Sequence, residues 1–443
     1  MKKQIFIIPL LFYLLASCGE CPVDPQDSQR YYVDSSLVGE WLDTLWVTPR
    51  DTLDYSAYLC QPFMFNDNII FAYDSRVHCV NKKTGATVWI AKTESAIGTY
   101  TPQQCDELIS DGRGGIIYIT RDFVECLALS DGMRKWRVDA ENSAAFSSLV
   151  NSKSCSGTHL FVSYRGRFDN RDKDQGIWAI DKSSGTVLWK TQLYTNDTLV
   201  DTWSTYPSGT VYHNGYVYVG TREYPGYDGN NYGGTLFCLN AFNGSITWKR
   251  RMPGPGNDIQ FYERWDLMKS GTILQQVIPT DDGIIAFAGY YLVKVDYQGN
   301  IVWRKGIVHD RGSMSEGSKG NPHVSDGLIY MVNAGKGDHA FMYAYDIATE
   351  TIRWQSHLDH REGTSNSRSV YLDGNRVYTV TDAGRIAVFD KFTGRMEWQS
   401  SLNYVLPKGR WFENCLFGYM IEGDKVYFIT ANHLVCAQRK KKS

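Results

Sequence analysis

Seven stretches of this chain alternate apolar and polar positions, turn, and alternate again: VHCVNKKTG, VECLALSDG, IWAIDKSSG, LFCLNAFNG, LVKVDYQG, MYAYDIATE and IAVFDKFTG. Period-two alternation over so few residues predicts a strand with one side buried. Each stretch runs into Asp or Asn (Leu129 in the second) and a short loop that closes on glycine, Glu350 excepted. Glycine there suits a backbone with positive φ. A second strand follows and carries a tryptophan four residues later: Trp89, Trp136, Trp189, Trp248, Trp303, Trp354 and Trp398. The spacing is roughly fifty residues, a period that marks a repeat architecture.

Upstream of these pairs sit further turn signals: Asn66-Asp67-Asn68, Asp111-Gly112, His213-Asn214-Gly215, Asp281-Asp282-Gly283, Asp326-Gly327, Asp373-Gly374-Asn375 and Gly423-Asp424. Each unit is therefore four antiparallel strands, a to d. Units of this kind close into a β-propeller. The tryptophan falls on strand d, the outer edge, where it covers a face between blades. Residues 414–438 supply strands a, b and c but no d. The missing strand is expected from the N-terminus, where Trp41-x-x-x-Leu45 matches Trp189-x-x-x-Leu193, Trp354-x-x-x-Leu358 and Trp398-x-x-x-Leu402. The predicted fold is all-β: an eight-bladed propeller whose last blade is closed by the N-terminal strand. A seven-bladed ring is the alternative. Cys79, Cys126, Cys238 and Cys436 share one strand-c position with Ala179, Ala344, Val388 and Lys294, and read as small core residues too far apart for disulfides.

Composition agrees: 43% hydrophobic, 14% aromatic and 40 glycines. A net charge of −2 gives no electrostatic footprint for nucleic acid. The first residues add a targeting signal. Lys2 and Lys3 precede an apolar run, Ile5 to Ala16, too short to span a bilayer. The run ends Leu15-Ala16-Ser17-Cys18, which resembles a bacterial lipobox. Cys18 is then the lipidated residue, and its acyl chains anchor the protein in a membrane. Gly19 in place of aspartate points to the outer membrane. The expected organisation is a signal peptide over 1–17, a linker over 18–36, the propeller over 37–438 and a basic tail over 439–443.

The unit [apolar]-x-[small]-[apolar]-Asp-x-x-Thr-Gly-x-x-x-Trp, seen in AVFDKFTGRMEW from Ala387 to Trp398, resembles the tryptophan-docking repeat of pyrroloquinoline-quinone-type propellers. Two branches follow from that resemblance. One is quinone- and calcium-dependent oxidoreductases; many carry an adjacent cysteine pair that this chain lacks. The other is the lipoprotein of the outer-membrane β-barrel assembly machinery, a non-enzymatic scaffold. The resemblance favours the second, with no cofactor, a monomeric propeller and protein partners in the envelope.

Insertions single out a candidate binding face. The b–c loops lengthen in blade 3 (from Arg165) and blade 4 (from Arg222), and the d–a loop from Arg250 to Ser270 is the longest. These segments carry Trp203, Tyr206, Arg222, Tyr224, Tyr227, Arg251, Tyr262, Arg264 and Trp265. Such side chains dominate protein-binding hot spots, and the aromatic ones also stack on sugars, so a glycan is the alternative ligand. Asn170-x-Asp172-x-Asp174 begins like a calcium loop but has Gln175 where glycine belongs, and reads as a solvated loop. His309, His339, His357 and His360 fall on the same face near blades 5 and 6. No hydrolase, zinc-protease or phosphate-loop motif is present.

Overall fold

Blade 1 shows how the repeat becomes structure. Strand a (Phe63–Phe65) turns into strand b (Asn68–Tyr73) with Asn66 at φ 54°. Strand c (Arg76–Asn81) pairs with b, and strand d (Thr87–Lys92) pairs outside c. The c–d turn is built by one side chain. Asn81 Oδ1 accepts the backbone N–H of Lys83 at 3.0 Å and of Thr84 at 3.2 Å, while the N–H of Gly85, at φ 71°, donates to Asn81 O at 2.8 Å. Short side-chain acceptors hold turns in this way. Asp181, Asn240, Asp296, Asp346 and Asp390 do the same in their blades. In blade 2 the equivalent residue is Ala128, one before Leu129, as the Gly132 N–H to Ala128 O bond of 2.9 Å shows.

A β-bulge follows every such turn. Thr87 pairs with Val80 and Trp89 with Cys79, so Val88 is the extra residue. The bulge recurs in all eight blades, always beside the tryptophan. A bulge re-aims a side chain locally, here the indole onto the next blade.

The computed structural model describes residues 42–48, 62–73, 76–92, 108–141, 144–146, 152–166, 175–193, 206–207, 209–222, 234–252, 274–288, 291–306, 322–334, 340–358, 370–380, 386–399, 418–429 and 434–439. They form eight antiparallel sheets of four strands, one of them with a broken strand a. The blades span 63–92, 109–139, 144–192, 206–251, 274–306, 323–358, 370–399 and 418–439. Strand d of the eighth is Leu42–Val47, paired with Leu434–Arg439. The ring is an eight-bladed β-propeller closed by its N-terminal strand.

The closing tryptophan is Trp46 rather than Trp41, which lies outside the described residues. Trp46 stands opposite Cys436, as Trp89 stands opposite Cys79 and Trp136 opposite Cys126. Its Nε1 donates to Lys82 O at 3.1 Å, and a β-carbon on Gly85 would meet its ring at 2.6 Å. Pairing with Leu434–Arg439 sets this register, and the Trp-x-x-x-Leu match does not. Leu45 is the bulge residue and is exposed.

Six indoles share one docking geometry. Besides Trp46, Trp89 donates to Leu129 O (3.1 Å), Trp136 to Lys182 O (2.9 Å), Trp189 to Ala241 O (3.1 Å), Trp248 to Tyr297 O (3.0 Å) and Trp354 to Lys391 O (3.0 Å). Each acceptor belongs to the c–d turn of the next blade, and each ring lies against that turn's glycine. The cores are likewise shared between blades. One cluster joins Ile117 and Val124 of blade 2 to Val162 and Trp178 of blade 3, and another joins blade 8 to blade 1 through Tyr427, Cys436, Ile69 and Val80. The strand-c cysteines are buried within these cores, and burial pushes the thiols up, Cys79 to about 11 and Cys126 to about 12.

Candidate functional site

Strand direction decides which residues share a face. Strand a starts, b ends, c starts and d ends on the loop face; the a–b and c–d turns lie on the other. Blade 4 places three candidate residues together on the loop face. Tyr206 opens strand a as the cross-strand partner of Arg222, the last residue of strand b (Tyr216–Arg222). Arg251 closes strand d (Ile246–Arg251) opposite Thr235, the first residue of strand c, and is exposed. Thr221 ties b to c in this row: its Oγ accepts the Thr235 N–H at 3.1 Å. A tyrosine and two arginines thus come to one end of one blade, on paired strands rather than on free loop.

The blade also departs from the common pattern. Its strand a is split into Tyr206–Pro207 and Val211–His213, both pairing with strand b. Pro207 has no N–H to give the ladder. Across the break, buried Thr210 ties blade 4 to blade 3: its Oγ donates to Phe161 O at 2.6 Å, and Ser154 Oγ donates to Thr210 O at 2.6 Å. Trp203, Tyr224, Tyr227, Tyr262, Arg264 and Trp265 lie outside the described residues, as do Cys18, Asn170, Asp172, Asp174, His309, His339 and His360. Among the described residues no three His, Cys, Asp or Glu gather to hold a metal, and no helix is long and apolar enough to cross a membrane.

A second surface escaped the sequence reading. Leu45 and Val47 of blade 8 and Val88 and Ile90 of blade 1 are exposed on neighbouring outer strands. Thr44–Thr48 and Thr87–Ala91 carry no charge, whereas strand d of blade 2, Arg134–Asp139, has three cations and an acid. Outer edges are usually guarded by charge. The signal was legible as the runs Thr44-Leu45-Trp46-Val47 and Thr87-Val88-Trp89-Ile90, apolar at consecutive positions where a single buried face needs only alternate ones.

The repeat, the docked indoles and the closed ring decide the comparison with known proteins. The family model PQQ_2, described as outer membrane protein assembly factor BamB, matches residues 73–200, 173–289 and 288–442 in overlapping copies. The chain belongs to this family. The outer membrane protein assembly factor BamB of Kangiella koreensis is 32% identical over 117 residues, 25% of this chain and 27% of that protein. Tetrathionate hydrolase of Acidithiobacillus ferrooxidans is 22% identical over 371 residues, 74% of this chain and 64% of the hydrolase. The matches thus span less than two thirds of either curated relative. Among solved structures, BamB from Moraxella catarrhalis superposes with a TM-score of 0.55 at 16% identity, over 90% of this chain and 99% of that one. Quinohemoprotein alcohol dehydrogenase from Comamonas testosteroni superposes with a TM-score of 0.59 at 11% identity, over 91% and 77%. At such identities the structural likeness speaks for the fold and no further.

Proposed function

We propose that the protein is a lipid-anchored, non-enzymatic propeller that scaffolds protein partners at the bacterial outer membrane. The observation that carries this reading is the family match, which runs through nearly the whole ring in copies of a BamB-described repeat. Cys18 supplies the anchor. The loop-face end of blade 4, with Tyr206, Arg222 and Arg251 on paired strands, supplies a preformed surface for a partner, with residue types that make hot spots. Rigidity matters because a preorganised surface loses less entropy on association. The experiment is affinity capture from solubilised envelopes, comparing the wild type with Arg222→Ala/Arg251→Ala. A defined partner should be enriched by the wild type and reduced at least tenfold by the double variant, about 1.4 kcal/mol. Recovery of no specific protein, or equal recovery by both, refutes the scaffold reading at this face.

Quinone-dependent members of the resembled branch hold a calcium ion with their cofactor. Among the described residues no three His, Cys, Asp or Glu gather to hold a metal.

A further inference from the structure

The eight blade junctions are not equal, and the junction between blades 5 and 6 is built differently. At six other junctions the docking indole rests on a glycine at positive φ, and Trp398 packs on blade 8, whose strand d comes from the N-terminus without a c–d turn; blade 6 has a c–d turn with Glu350 at the docking position, at φ 56°. A β-carbon at Gly132 would meet the Trp89 ring at 2.6 Å, and one at Gly299 the Trp248 ring at 2.8 Å. Glu350 carries that β-carbon, so Trp303 cannot dock in the common position. Accordingly, the Trp303 Nε1 has no hydrogen-bond partner among the described residues, and neither does the buried hydroxyl of Tyr345, whose ring lies 6.3 Å away. Three other junctions add a second bond from the residue two after the tryptophan to the docking glycine's carbonyl: Thr191 to Gly244 (2.6 Å), Arg250 to Gly299 (2.5 Å) and Ser356 to Gly394. At the same position in blade 5, Lys305 instead meets the Glu350 carboxylate at 3.4 Å, with both side chains substantially exposed.

We propose that the junction between blades 5 and 6 is the seam at which the propeller ring opens, latched by the Lys305–Glu350 ion pair and therefore released by salt. An exposed ion pair is screened as ionic strength rises, whereas hydrogen bonds to a turn carbonyl beneath a docked indole are screened far less. Two buried polar groups left without partners, and a side chain in left-handed backbone, destabilise the closed seam further. Opening separates blade faces but leaves the hydrogen bonds inside each blade intact. The readout is therefore side-chain oxidation by hydroxyl radicals, not amide exchange.

Blade 6 supplies its own controls because its residues alternate between two neighbours. Met331 and Tyr345 face blade 5, while Met342 and Tyr330 face blade 7, and all four are buried. With the full chain, Met331 and Tyr345 should oxidise at least about fivefold faster than Met342 and Tyr330. That ratio should rise with added sodium chloride as the pair is screened. Glu350→Gly, which allows the indole to dock, should bring the ratio near one and abolish its salt dependence. Trp303→Phe, which removes only the orphan N–H and part of the ring, should leave the thermal midpoint unchanged, whereas Trp354→Phe should lower it. Equal oxidation of the two faces overturns the proposal, as does a Glu350→Gly variant that oxidises like the wild type. Preferential oxidation at blade 8, where closure is non-covalent, overturns it as well.

Discussion

At the scale of single residues, the fold depends on glycines that give room to a neighbour's tryptophan. Gly132→Ala illustrates the cost: its φ of 74° disfavours any side chain, and its β-carbon would displace the Trp89 ring. Backbone strain and partial loss of indole burial together predict a destabilisation of about 2–4 kcal/mol, read as a lower midpoint in urea without a change of slope. Titration also acts at this scale. The hydroxyl and N–H of Ser183, with those of Ser184, hold the Asp181 carboxyl down at about 2. Burial holds His323 down at about 4, against an ordinary 6.5. Both groups bind fewer protons in the folded state, so both contribute stability at neutral pH that is lost on acidification. His323 acts between 6.5 and about 4, and Asp181 from the ordinary carboxylate range down to about 2. The thermal midpoint should therefore be flat near neutrality and fall in two stages, and His323→Gln should remove the first. A midpoint independent of pH above 4 contradicts that assignment.

At the scale of elements, strand d carries the junctions. It holds the bulge, the tryptophan and the outer edge, and in blade 8 it comes from the other end of the chain. Thr48, just past that strand, adds a tie: its N–H donates to Leu434 O at 3.0 Å, and its Oγ accepts the Leu434 N–H at 3.0 Å. Trp46→Ala should weaken this closure by about 2–4 kcal/mol, below the range for a fully buried aromatic because Trp46 is only partly buried. Calorimetry of the variant against wild type checks it; a change under about 1 kcal/mol would mean that Trp46 does not close the ring. The same element explains the missed surface. Val88 and Ile90 flank the buried Trp89 on strand d and are themselves exposed.

For the whole molecule, the cores lie between blades. Each inter-blade cluster takes alternate residues of two neighbours, so no blade buries both its faces alone. A linear repeat array unfolds from its ends, but a closed ring has none. Heating should therefore give one cooperative transition. Truncation after Gln399 removes strands a to c of blade 8, leaves Leu42–Val47 without its pairing strand and exposes apolar faces of blades 7 and 1. That variant should bind a hydrophobic dye and lack a cooperative melt; a sharp melt would show that seven blades suffice. The partner-binding reading belongs to this scale too, because Tyr206, Arg222 and Arg251 lie on three different strands and come to one end of the blade only when blade 4 forms.

Local sequence set the strands, the turns and the four-residue offset from turn to tryptophan, because these follow from contacts a few residues apart. Alternation, a short polar acceptor and a positive-φ glycine leave little choice of local structure. It favoured eight blades over seven as well, since three strands at the C-terminus lacked a fourth, and the pairing of Leu42–Val47 with Leu434–Arg439 decided the count. The register of the closing strand was not local. Trp41 and Trp46 both sit in alternating sequence, and pairing with residues almost 400 positions away chose between them. Thr44-Leu45-Trp46-Val47 resembles Thr87-Val88-Trp89-Ile90 closely enough to have given the answer, yet only the ladder decides which face an indole takes. The candidate site divided in the same way. Residue type marked Tyr206, Arg222 and Arg251, and strand direction placed them on one edge. The defect at Glu350 was visible as a missing glycine, but its consequence, an indole without an acceptor in the neighbouring blade, exists only once two blades meet.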